Sequence, residues 1–135
     1  MRQLLRLYAE ADLKDIAVYY YPLRGLTALS FSDGTIAMDV DKISTVSEET
    51  VLLGHELGHC ETGCFYRVDT PLALQGRCEE RANRWAIRRL VPIEELRLAL
   101  AAGITEIHDL AEYFEITQAF MEKAVRYYSD AKALL

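Results

Sequence analysis

Residues 47–63, SEETVLLGHELGHCETG, restrict this chain more than any other stretch of it. Two of its three histidines fall there, four positions apart, with a glutamate directly after the first. On an α-helix each residue advances by about 100°, so His55 and His59 stand one turn apart on the same face and both imidazoles can reach one ion. Glu56 is one step around the axis. It lies beside such an ion without coordinating it, where it can take a proton from an attacking water. The pattern therefore predicts half of a zinc site and its general base, provided the segment is helical. Helix signals agree: Ser47 is a candidate N-cap with acidic residues behind it, VLLG is an apolar approach, and Gly63 is a stop. A chance H-E-x-x-H in a chain of this composition is on the order of one in two hundred, which weighs against an accidental pair on a solvated face.

A catalytic zinc site needs three protein ligands and an open position. A third histidine in the arrangement H-E-x-x-H-x-x-G-x-x-H is excluded, because position 62 is Thr62 and position 65 is Phe65. The search moves to CEERANRWA. There Glu79, Ala82, Asn83, Ala86 and Leu90 share one side of a helix, while Arg77, Arg81, Arg84 and Arg88 form a stripe on the other. A glutamate among small inward residues lies where another helix can approach closely, so Glu79 is the expected third ligand, with Glu80 as the fallback. Asn83, one turn on, is placed to hydrogen-bond a ligand histidine. The thiols are rival donors. Leu53, Leu57, Cys60 and Cys64 fall in one stripe pointing away from the histidines, which marks these two cysteines as core residues.

Around this centre the chain reads as an α+β protein with a small, mostly antiparallel sheet. RQLLRLYAEA has helical spacing; IAVYYYPL, TALSFS and TIAMDV read as strands, with Asp33-Gly34 marking a hairpin between the last two. CFYRVDTPLALQG is a looser segment, and RCEERANRWAIRRLV is a helix stopped by Pro92. Three further helices follow, broken at Gly103 and around Ile116-Thr117. At 135 residues the chain suits one compact domain, with a core over residues 1–92 and a helical extension over 93–135 packed on it. The strand TIAMDVD precedes the histidine helix; an extended peptide pairs with its edge if that edge is free, and not if it is covered.

The two stretches TIAMDVDKISTVSEETVLLGHELGHCETG and EERANRWAIRRLVP together resemble the ImmA/IrrE family of zinc metallopeptidases, whose members carry a strand, an H-E-L-G-H helix and an E-x-x-A-[ND]-x-[FW]-A helix ending at a proline. Trp85 stands where phenylalanine is more usual. The resemblance implies a zincin-like fold, Zn2+ bound by His55, His59 and Glu79, and Glu56 as the catalytic glutamate. It also implies a partner: family members cleave a helix-turn-helix transcriptional repressor encoded beside them, often in prophages or integrative elements. Tyr66 and His108 are candidate donors to the developing oxyanion by residue type alone.

Two other readings compete. HDLAEYFEITQAFMEKAVRYY has the rhythm of a helix-turn-helix, as in a DNA-binding regulator. Residues 104–135, however, carry three Lys/Arg (Lys123, Arg126, Lys132) against six Asp/Glu (Glu106, Asp109, Glu112, Glu115, Glu122, Asp130), and the whole chain has a net charge of -6. Phosphate repels such a surface, so a degenerate helix-turn-helix serving as scaffold or docking surface is the expectation. A non-catalytic zinc protein that sequesters its repressor would need the same pocket as a protease. No run approaches the ~18 apolar residues of a membrane span, and three cysteines in a chain that needs no staples fit reduced thiols; both point to a cytoplasmic protein.

Overall fold

The computed structural model describes residues 1–134. Its order is α1 (Arg2–Leu13), β1 (Ala17–Tyr20), β2 (Ala28–Phe31), β3 (Thr35–Met38), a 3-10 turn (Val40–Lys42), α2 (Val46–Thr62), α3 (Leu72–Leu90), α4 (Ile93–Ala101), α5 (Ile107–Phe114) and α6 (Gln118–Asp130). The class is α+β, as the alternation of periods predicts.

The hairpin forms where the Asp-Gly pair places it. Gly34 takes φ 87, a left-handed backbone that glycine adopts without steric cost, and Asp33 Oδ1 accepts from Thr35 N–H at 3.1 Å. β2 then runs antiparallel to β3, with Leu29 opposite Ala37 and Phe31 opposite Thr35. β1 departs from the antiparallel expectation. It pairs with the far side of β3 in parallel, Val18 opposite Ile36, so the sheet is mixed with order β1-β3-β2. A parallel neighbour requires a crossover of about a dozen residues or more, and residues 21–34 supply one, with β2 as its returning limb. Asp39 pins the start of that crossover. Its carboxylate accepts from Leu23 N–H at 3.0 Å and from Asp41 N–H at 3.3 Å. The Leu23 bond, foremost, holds the acid below its usual range. Because β3 is central, its edge is covered; the free edge beside the histidine helix belongs to β2.

The histidine helix starts earlier than Ser47. Thr45 is the N-cap, its side chain accepting from Glu48 N–H at 3.1 Å, while the Glu48 carboxylate reaches back to Ser44 N–H at 2.9 Å. This reciprocal pair satisfies two otherwise orphaned donors. α3 likewise begins at Leu72, four residues before the expected end of the loose segment, with Pro71 immediately ahead of it.

The core runs through the whole chain. Leu7, Ile36, Met38, Leu53, Leu57, Leu90, Leu96, Leu110 and Met121 are all under 2 % exposed, and each such side chain contributes ~1.5–3 kcal/mol relative to exposure. Residues from α4, α5 and α6 belong to the same apolar cluster as those of α1, β3, α2 and α3, and Tyr128 O–H donates to Val91 C=O at 2.7 Å. Close approach of α2 and α3 depends on small residues. A Cβ on Gly58 would lie 2.5 Å from the Ala82 carbonyl oxygen, which no side-chain rotation relieves. Ala82 and Ala86 are fully buried. Among the described residues no helix is long and apolar enough to cross a membrane.

Candidate metal centre

α2 supplies His55, Glu56 and His59, and α3 supplies Glu79 and Asn83. The close contact at Gly58 brings the two helices near enough for the side chains to meet. His55 Nε2 lies 2.7 Å from Glu79 Oε2, His59 Nε2 lies 3.1 Å from Glu79 Oε1, and the two Nε2 atoms are 3.2 Å apart. Glu80, the fallback, is exposed and stands outside this group.

Each imidazole is turned by a partner on its other nitrogen. His55 Nδ1–H donates to Asn83 Oδ1 at 2.8 Å, as the spacing on α3 anticipates. His59 Nδ1–H donates to the Cys64 carbonyl at 2.6 Å. Side-chain types do not reveal that second acceptor, because it is a backbone group. Its signal is Gly63, whose left-handed φ of 67 ends α2 and folds the next carbonyl back under the helix, with Cys64 N–H donating to His59 C=O at 3.1 Å. With both protons on Nδ1, each Nε2 points a lone pair at the other and at a carboxylate. Such a set of electron-rich atoms repels itself unless a cation or proton lies among them. Ligands around a zinc with ~2.0–2.1 Å bonds stand ~3.3 Å apart at a tetrahedron's edges, close to the spacing here, so the residues present fit a divalent ion.

Glu56 is 6 % exposed. Burial pushes its carboxyl above the ordinary range, partly offset by the two imidazoles and by Ser30 from β2. A base raised in this way is better matched to neutral pH. Burial raises Glu79 too, but the Tyr66 hydroxyl and the imidazoles outweigh it and the net shift is downward, which keeps that carboxylate ionised. All four groups line one cavity of about 660 Å³, walled by β2, Leu52, Phe65 and Val68.

One of the two cysteines departs from the expected stripe. Cys60 packs on the core, but Cys64 lies beyond the end of α2 and meets Cys78, whose Sγ is 3.7 Å from His59 Nδ1. Burial lifts the Cys78 thiol to about 12 and the Cys60 thiol to about 11, and neither sulfur belongs to the His55-His59-Glu79 cluster. Of the two candidate oxyanion donors, Tyr66 is at the site, its hydroxyl donating to Glu79 Oε1 at 2.7 Å. His108 is not among the cavity's lining residues; it sits on α5, hydrogen-bonded to Gln118.

Residues 40–126 match the family profile of the peptidase M78, IrrE N-terminal-like domain. The chain belongs to this ImmA/IrrE family. The match begins at the 3-10 turn and runs through α2, α3 and most of α6, so it includes the whole cluster just described. No curated protein and no solved structure matches the chain. A peptidase family implies protease activity and a protein substrate, and this one is typically metal-dependent.

Proposed function

We propose that this ImmA/IrrE chain is a zinc-dependent endopeptidase in which His55, His59 and Glu79 hold the ion and Glu56 is the general base. The observation that carries this reading is the convergence of two Nε2 atoms and a carboxylate from a second helix, within 3.2 Å of one another, beside a buried carboxyl of raised pKa. Zinc bound there supplies a Lewis acid and makes water a usable nucleophile near neutral pH. Glu56 takes the proton of the attacking water and returns it to the departing amine nitrogen. Asn83 and the Cys64 carbonyl hold the imidazoles in the tautomer that presents Nε2.

The substrate backbone lies along β2. In the antiparallel register of residues 28–31 with β3, the bond from Asp39 N–H to Thr27 C=O makes residues 29 and 31 the hydrogen-bonded positions, so by alternation Ala28 and Ser30 direct their N–H and C=O groups to the open side. An extended peptide pairing there would run past Glu56, with apolar side chains against Leu52, Phe65 and Val68. The protein partner we assign is a helix-turn-helix transcriptional repressor, on the strength of the sequence resemblance. Incubation of the zinc-loaded protein with the repressor encoded beside it, read by intact-mass spectrometry, should yield two fragments that Glu56→Gln does not produce. A repressor bound tightly but left whole by the wild-type protein would instead make this chain a sequestering module.

A further inference from the structure

The three candidate ligands are not held alike. His55 and His59 lie one turn apart on a single helix, and each has a fixed acceptor on Nδ1. Glu79 arrives from α3 with a longer side chain that is 37 % exposed, and a free glutamate carries up to ~1.5–2 kcal/mol of rotamer entropy. Something must select the rotamer in which its two oxygens face the two imidazoles. The group in place is Tyr66, whose hydroxyl donates to Oε1 at 2.7 Å while its ring stands edge-on to His59 at 6.3 Å.

Tyr66 is itself presented by a small folded turn. Arg67 N–H donates to Thr70 Oγ1 at 3.0 Å, Thr70 N–H to Arg67 C=O at 3.0 Å, and Gln75 Nε2 to Thr70 C=O at 2.7 Å. These bonds tie residues 67–70 to the first turn of α3, on the helix that carries Glu79. A phenol has one O–H to donate, and here the Glu79 carboxylate engages it.

We propose that Tyr66 is the positioning residue for the third ligand, and that the 67–70 turn sets metal retention by presenting it. The inference rests on the zinc reading above and concerns binding of the ion in the absence of substrate. Metal affinity of the purified chain, measured by competition with a chromophoric chelator, should fall ~10–100-fold in Tyr66→Phe, the range for loss of an outer-sphere partner. Metal-free melting should fall by no more than a few degrees, as for loss of one part-exposed hydrogen bond. Thr70→Val, which removes the side-chain half of the two bonds closing the turn, should weaken affinity by a smaller factor in the wild-type background and by none in Tyr66→Phe. The visible absorption of the cobalt-substituted protein should shift in Tyr66→Phe and stay unaltered in Tyr113→Phe, a change at an exposed tyrosine on α5. Unchanged affinity in Tyr66→Phe, or additive losses in the double variant, overturns the proposal while leaving zinc binding intact. Failure of the wild-type chain to bind the ion at all overturns both.

Discussion

Among the described residues two clusters bring histidine and carboxylate donors within 4.8 Å of one another, His55-His59-Glu79 in the cleft between α2 and α3 and His108-Asp109-Glu112 on α5. The second needs nothing beyond helical geometry: its members lie within one turn of one element and all are exposed, and His108 Nε2 meets Glu112 at 3.3 Å as an ordinary i,i+4 pair. The first spans two helices, and its members have separate partners in Asn83, the Cys64 carbonyl and Tyr66. The contrast separates proximity from preorganisation. On the exposed turn His108 has an outside partner in Gln118, but its two carboxylates must be ordered by the ion itself, whereas a set braced at every member has already lost that freedom on folding.

The comparison can be broken at several points. The largest effect belongs to Glu56→Gln, which should lower peptide cleavage by ~10²–10⁴-fold with metal content unchanged by atomic emission; retained activity would remove the buried carboxyl from the reaction. Gly58→Ala attacks the cleft instead. The neighbour of the added methyl is backbone at 2.5 Å, so α2 and α3 must separate. A loss of ~3 kcal/mol is expected in urea unfolding, at the upper end for overpacking, despite the better helix propensity of alanine.

Asn83→Ala should weaken zinc affinity by ~10–100-fold by releasing the His55 ring. At the exposed cluster, His108→Ala should leave zinc stoichiometry and affinity unaltered, and a halved stoichiometry would show that exposure does not disqualify a site. A further test sharpens the electrostatic side. The Glu56 pKa is raised in the folded chain, so ionising it opposes folding as pH climbs from the ordinary carboxylate range through the raised value. Below that range both states are protonated and the penalty is absent. Metal-free Glu56→Gln should therefore melt above the wild type at pH 7, with the difference closing near pH 4.

Much of the cleft was legible before the fold. The four-residue spacing of His55 and His59 has one meaning on a helix, and the apolar approach with Gly63 behind it makes the helix hard to avoid. Glu79 could be chosen over Glu80 because small residues at 82 and 86 mark the face of α3 that packs inward, and a one-turn period is a local property. Asn83 followed by the same count. Less legible were the features that depend on where a chain returns to itself. Thr45 and Ser47 are both capping types, and only the reciprocal bond from Glu48 favours the earlier one.

The sequence by itself determined the periodic parts of this protein: which residues share a helix face, where glycine ends a helix, which dipeptide turns a hairpin. Those follow from bond geometry over a few neighbouring residues. Tertiary structure decided the rest. It placed β1 parallel on the far side of β3 and left β2 at the edge, brought the Cys64 carbonyl under His59, and set the Tyr66 hydroxyl against Glu79. The strand order rests on pairings between segments far apart along the chain, and the two braces depend on how a backbone reversal and an irregular loop return onto α2 and α3. A hydrogen bond across such a gap exists only once helix packing has fixed both ends, so no local pattern of residues encodes it.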